Sequence, residues 1–176
     1  PEAHPLIQQA RPLLSKVSGE RIRDELMWAF ATPSAHLAMN LLKELRVLDA
    51  LFPELALGRD MDQGDFHHLS VLDHQVETVA QADRFLADFA EFVQPLREPL
   101  TTYCAVPLVE GRPRHALIKF AGLFHDVGKP LKKTVEPDGE IWFLGHEHAG
   151  AELMQPILER LRFSTRESQM ITQLVR

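Results

Sequence analysis

Between Leu69 and Val93, apolar residues recur every three or four positions: Leu72, Val76, Val79, Ala80, Phe85, Leu86, Phe89 and Val93. That spacing predicts one long helix with a single apolar face. Such a helix folds only against other elements with matching faces. Shorter segments supply them. Residues 5–16 read as a short helix interrupted near Pro12. Ser18 caps a second helix, with Glu20 in its first turn and a stripe of Ile22, Leu26, Trp28, Ala29 and Phe30. Thr32-Pro33 predicts a third, capped by Thr32, with Leu37, Leu41, Leu42 and Leu45 on its buried face. Leu48, Leu51 and Phe52 form a short helix stopped by Pro53, and Gly58 to Gly64 reads as a loop.

After the long helix, Pro95, Pro99 and Pro107 predict an irregular stretch. A helix starting at Pro113 turns Leu117, Phe120, Ala121 and Phe124 inward and ends at Val127-Gly128, with Gly128 as its C-terminal glycine. Helical patterns follow over 146–162 and, capped by Ser164, to the last residue. Strand signal is confined to Thr134-Val135 and Ile141-Trp142-Phe143 around Pro137-Asp138-Gly139, a small β-hairpin or a plain loop. The fold class is therefore all-α: a helical bundle behind a short N-terminal helical segment, with at most one small β-hairpin.

A chain of 176 residues, 45% hydrophobic, has material for one domain and a small accessory segment. The pattern divides into 1–57 and 58–176. No apolar run approaches the roughly 20 residues of a membrane span, and Pro1 to Pro5 lacks a signal-peptide pattern. The single cysteine, Cys104, fits a buried small hydrophobe in a reducing cytoplasm. The pattern stops inside a helix, which reads as a fragment of a larger protein.

A net charge of −6 argues against a general nucleic-acid binder, but the charge is uneven. Residues 57–92 carry two basic and eight acidic side chains, whereas 110–134 carry six basic (Arg112, Arg114, Lys119, Lys129, Lys132, Lys133) and two acidic (Glu110, Asp126). That is either a local positive field or a solvated face.

The most informative stretch is Phe120-Ala121-Gly122-Leu123-Phe124-His125-Asp126-Val127-Gly128-Lys129-Pro130. Adjacent imidazole and carboxylate at a helix end can turn toward one divalent cation. The glycine removes bulk, and Lys129 offers a positive donor about one turn away, where a phosphate oxygen can sit. Residues of these types also serve as a cap, a structural ion pair or a hydrogen-bonded core histidine.

The string His-Asp-x-Gly-Lys-Pro resembles the defining motif of the HD superfamily of metal-dependent phosphohydrolases. Ser18-Gly19-Glu20-Arg21-Ile22-Arg23-Asp24-Glu25-Leu26 and Leu48-Asp49-Ala50-Leu51-Phe52-Pro53-Glu54-Leu55 resemble segments of class II tRNA nucleotidyltransferases and bacterial poly(A) polymerases. Val71-Leu72-Asp73-His74 and Phe143-Leu144-Gly145-His146-Glu147-His148-Ala149-Gly150-Ala151 resemble two stretches of their HD domain.

The resemblance implies an HD-domain bundle truncated at its C-terminus, with a neck- or body-like 1–57. It implies a divalent cation (Mn, Ni, Co, Mg, Fe or Zn) held by His74, His125 and Asp126. His146 is implied as an outer ligand or phosphate contact, Lys129 as a holder of substrate phosphate, and Asp126 as the group that orients or deprotonates a water. The implied activity is hydrolysis of a phosphomonoester or a 2',3'-cyclic phosphodiester, on a small molecule or an RNA end. The alternative is a non-catalytic tRNA-binding body.

The family's last ligand is an aspartate downstream, whereas the final aspartate here is Asp138. Nothing resembles the nucleotide-adding head, so this chain is not expected to add nucleotides by itself. His148 reads as exposed or near the site, and His67 and His68 as surface neighbours of the long helix. Arg21 and Arg23 read as packing and ion-pairing residues, and Arg160, Arg162 and Arg166 as a tRNA-facing surface or solvated charges.

Overall fold

A computed structural model describes residues 3–64, 68–88, 91–109 and 111–176. Its elements run α1 (Ala3–Ala10), a 3-10 turn (Arg11–Lys16), α2 (Gly19–Ala31), α3 (Ala35–Glu44), α4 (Val47–Leu51), α5 (Pro53–Ala56) and α6 (Val71–Asp88). A second 3-10 turn (Glu91–Leu96) leads to α7 (Arg97–Ala105), β1 (Pro107–Val109), β2 (Arg112–Pro113) and α8 (Arg114–Phe124). The chain closes with α9 (Lys129–Lys132), β3 (Thr134–Val135), β4 (Ile141–Trp142), α10 (His146–Arg160) and α11 (Thr165–Val175). The fold is all-α. The hairpin expected around Pro137-Asp138-Gly139 pairs Thr134 with Trp142 and Val135 with Ile141, its turn closed by Gly139 at φ 92°.

Helix α8 is the axis of the molecule. It packs against α6, α11, α2 and α7. Its residues Ala116, Leu117, Phe120, Ala121, Leu123 and Phe124 are all buried. Phe120 meets Phe30 edge-on at 5.7 Å between centroids, and Phe124 meets Phe52 at 5.0 Å and 85°. Leu26 and Phe30 of α2, Met39 of α3, Leu72 and Val79 of α6, and Met154, Ile157 and Ile171 of α10 and α11 complete one cluster. Residues on either side of position 57 thus share a core.

Two charged links hold α8 to its neighbours. Lys119 Nζ lies 2.6 Å from Asp83 Oδ1 of α6, both side chains 3% exposed. Asp83 Oδ2 also faces Nδ1 of His36 on α3 at 2.8 Å. Just before α8, Arg112 Nε donates to Glu167 Oε1 of α11 at 2.6 Å.

Several expectations need correction. The long helix runs from Val71 to Asp88, and Val93 falls in the 3-10 turn; Phe89 lies outside the described residues. Thr32 ends α2 rather than starting α3, whose N-cap is Ser34. Trp28, Leu37 and Leu41 are exposed, because α2 and α3 bury Met27, Ala35 and Met39 instead. The short helix α4 does stop before Pro53, but Pro53 then opens a further helix, α5, at its first turn. The proline-rich stretch contains the regular α7, with Pro99 in its first turn, where no N–H is lost from the ladder. A second strand pair, β1 with β2, adds to the one hairpin expected. Gly128 is no C-terminal glycine of α8, which ends at Phe124; its φ is −81°.

Candidate metal centre

Past Phe124 the α8 ladder gives way to successive turns, in which Val127 N donates to Phe124 O and Lys129 N to Asp126 O, both at 3.0 Å. This tight path turns His125 and Asp126 toward α6. There His74, one turn into the helix, presents its ring: the His74 and His125 centroids lie 5.1 Å apart. His125 Nε2 stands 3.2 Å from His74 Nε2 and 3.1 Å from Asp126 Oδ2. His74 Nε2 is 3.3 Å from the same oxygen.

These separations fit a shared cation. Donor atoms bound at about 2.0–2.1 Å stand roughly 2.9–3.4 Å from their neighbours in octahedral or tetrahedral sites. His125 Nδ1 faces the Gly122 carbonyl at 2.9 Å. Donating there keeps a proton on Nδ1, so that a cation taking the place of the Nε2 proton would meet the Nε2 lone pair. Asp126 Oδ2 is buried and faces nitrogens of His74, His125 and Lys129, so it sits where a cation held by the two rings would find its carboxylate ligand. Among the described residues, His74, His125 and Asp126 are the group able to hold a metal ion. Two nitrogens and one carboxylate oxygen suit first-row divalent ions, and three protein ligands leave positions open.

The centre has a buried floor and an open rim. Asp126 is 4% exposed, whereas His74, His125 and His146 are each 30% exposed. Burial pushes the Asp126 carboxyl up, but hydrogen bonding and charge from His125 and Lys129 outweigh it. The group is held well below the usual carboxylate range and stays anionic at neutral pH.

His146 opens α10 and reaches the other carboxylate oxygen, its Nε2 3.2 Å from Asp126 Oδ1. Its Nδ1 faces the Phe143 carbonyl at 2.8 Å. Lys129 Nζ sits 2.7 Å from Asp126 Oδ2, donates to Gln63 Oε1 at 2.6 Å and lies 5.3 Å over the Phe143 ring. His148 is exposed and bonds to Glu147. His68 is exposed, and His67 lies outside the described residues.

One glycine brings α10 this close. A Cβ on Gly128 would lie 2.1 Å from the His146 carbonyl and 2.5 Å from the Gly150 nitrogen. Both contacts are backbone, so only glycine admits the approach that carries His146 to Asp126.

Gln63 is the site-lining residue that sequence reasoning missed. It sits in the 58–64 loop, is 3% exposed and also donates to Leu69 O. Its position in the loop before α6 carried no chemical signal. The basic excess over 110–134, read as either a positive field or a solvated face, is largely consumed by the fold. Arg112, Lys119 and Lys129 pair with Glu167, Asp83 and Asp126, Lys133 bonds to Asp62 O, and Glu110 lies outside the described residues.

A family model for the HD domain matches residues 71–176. Residues 1–57 match one described as "Probable RNA and SrmB- binding site of polymerase A". The chain is 37% identical over 145 residues to an A-adding tRNA nucleotidyltransferase of Deinococcus radiodurans, covering 81% of this chain and 27% of that protein. It is 32% identical over 176 residues to a CC-adding tRNA nucleotidyltransferase of Thermus thermophilus, covering 99% of this chain and 33% of that protein. A multifunctional CCA protein of Ectopseudomonas mendocina is 28% identical over 149 residues, covering 85% of this chain and 30% of that protein. The chain thus spans a third or less of the length of these three relatives. No helix of the described residues is long and apolar enough to cross a membrane. The histidine-aspartate pair stands at the meeting of two helices, and the matching model takes in more than half of the sequence; the chain belongs to the HD-domain family.

Proposed function

We propose that this HD domain hydrolyses phosphate esters, either a phosphomonoester or a 2',3'-cyclic phosphodiester, within a larger tRNA nucleotidyltransferase-like protein. The observation that supports this most is the convergence of His74 Nε2, His125 Nε2 and Asp126 Oδ2 to within about one coordination sphere. His74, His125 and Asp126 are the proposed ligands of a divalent cation (Mn, Ni, Co, Mg, Fe or Zn). Such a cation, when bound, polarises a phosphoryl oxygen and acidifies a water.

The chain's own residues then have separable tasks. Asp126, anionic and buried, orients the attacking water through the oxygen that also faces His146. His146, at the open rim, contacts the substrate phosphate from outside the ligand set. Lys129 exchanges its bond to Gln63 for a phosphoryl oxygen and so neutralises charge developing there. Residues 1–57 form the neck- or body-like segment that presents an RNA end.

The test joins metal content to turnover. Elemental analysis is expected to find about one divalent ion per chain. Hydrolysis of bis-p-nitrophenyl phosphate or 2',3'-cyclic AMP should require added Mn, Ni or Co, and His125→Ala should lower it at least about 100-fold. Turnover unchanged in His125→Ala would sink the proposal. A second reading, favoured by the RNA-binding description matched over 1–57, makes the chain a non-catalytic body that holds tRNA. It predicts salt-dependent tRNA binding with neither metal nor turnover.

A further inference from the structure

Arg114 opens α8 and Phe124 closes it, so the two ends of this helix lie about 15 Å apart. His125 stands at one end. At the other, a cleft of about 490 Å³ opens between α7, the β1–β2 ribbon and α11. Its polar lining is Tyr103, Arg114, Arg166, Gln169 and Gln173, over an apolar base that includes Leu108. No carboxylate of the described residues lines it, in a chain whose net charge is −6.

Arg166, Gln169 and Gln173 recur at i, i+3 and i+7 of α11, which places them on one stripe. Among the described residues, none of the three side chains makes a hydrogen bond or ion pair, although other arginines are paired with carboxylates, as Arg59 is with Asp49 and Arg112 with Glu167. The stripe therefore offers donors for an acceptor from outside.

Arg114 is fixed in place. Its Nη1 donates to Val106 O at 3.0 Å and to Tyr103 O at 3.3 Å, while its Nε is buried without an acceptor. Its guanidinium lies 4.6 Å over the ring of Tyr103, a residue that is 52% exposed. Aromatic rings and guanidinium groups are the surfaces on which nucleobases stack, and here the two lie together at the cleft. Arg166 and the two carboxamides beside it suit phosphate oxygens and base edges.

We propose that this cleft binds the base and phosphate of a nucleotide, either free or as one unit of a single-stranded RNA. It lies outside the 1–57 segment matched to an RNA-binding description and does not depend on the metal centre.

Calorimetric titration of the full chain in chelator, with inorganic phosphate, 5'-AMP and an adenylate hexamer, tests it. The expected order places AMP or the hexamer well above phosphate. AMP within a few-fold of the hexamer identifies a free-nucleotide site, and a hexamer at least tenfold tighter identifies a strand site. In either case Arg166→Ala/Gln173→Ala should weaken binding tenfold or more and lower the salt slope by about one. Tyr103→Leu should weaken AMP but not phosphate, and His125→Ala should leave all three unchanged. Both members of the double substitution are exposed on α11, so the fold is expected to tolerate them, which circular dichroism checks. Binding that survives the double substitution, binding lost in His125→Ala, or no binding of any probe overturns the proposal.

Discussion

Gly128 has an ordinary right-handed backbone, so its value lies in lacking a side chain. A methyl group there meets the backbone of His146 and Gly150, and neither can yield without moving α10. Gly128→Ala is expected to cost about 3 kcal/mol or more, read as a lower denaturant midpoint at unchanged slope. The sequence offered two reasons for this glycine, the end of a helix and the removal of bulk; only the second holds, and its partners could not be read locally because the colliding atoms lie 18 and 22 residues further along the chain. Gln75 presents the opposite case. It is 1% exposed on α6, and both polar atoms of its carboxamide lack a protein partner. Gln75→Met removes that uncompensated burial and should raise stability by about 1 kcal/mol, measured by the same denaturant titration. Helical period places position 75 on the inner face, but no pattern in the sequence explains a carboxamide there.

At the scale of elements, α11 shows what local signals can and cannot reveal. Ser164 is legible as its cap, and Glu167 three residues later closes a capping box. The third member, Arg112, comes from 55 residues upstream and was read only as part of a basic segment. Glu167 is fully buried and accepts from Arg112 at 2.6 and 3.2 Å and from the Ser164 amide and hydroxyl at 2.9 and 2.7 Å. Burial raises its pKa, but the Arg112 and Ser164 bonds prevail and hold it below the ordinary glutamate value. The folded form therefore binds its proton more weakly than the unfolded form. The stability this supplies is complete above about pH 4.3, the unfolded value, and is lost as pH falls through the lower folded value. Glu167→Gln is expected to cost about 3 kcal/mol at pH 7 and to flatten the acid limb of the stability curve, measured by urea titration between pH 3 and 7.

Across the whole molecule, helical class and the pairing of His125 with Asp126 were legible because both are local. Class follows from period, and the dyad is contiguous. What period does not decide is which of two apolar faces turns inward. On α3 it offered Leu37 and Leu41, yet the fold buries Ala35 and Met39, because α6 packs on that side. The arrival of His74 at the dyad likewise depends on α6 crossing α8, a tertiary fact. That crossing has a thermodynamic consequence. Position 74 and position 126 are 52 residues apart, and only the native chain brings them together, so a divalent ion held there closes a long loop and binds the unfolded chain far less. At a hundred times its dissociation constant, such an ion adds about 2.7 kcal/mol to the folded state, or roughly 5–10 °C in melting temperature for a chain of this length. Scanning calorimetry of EDTA-stripped and manganese-saturated protein should show that gap, and His74→Ala should erase it.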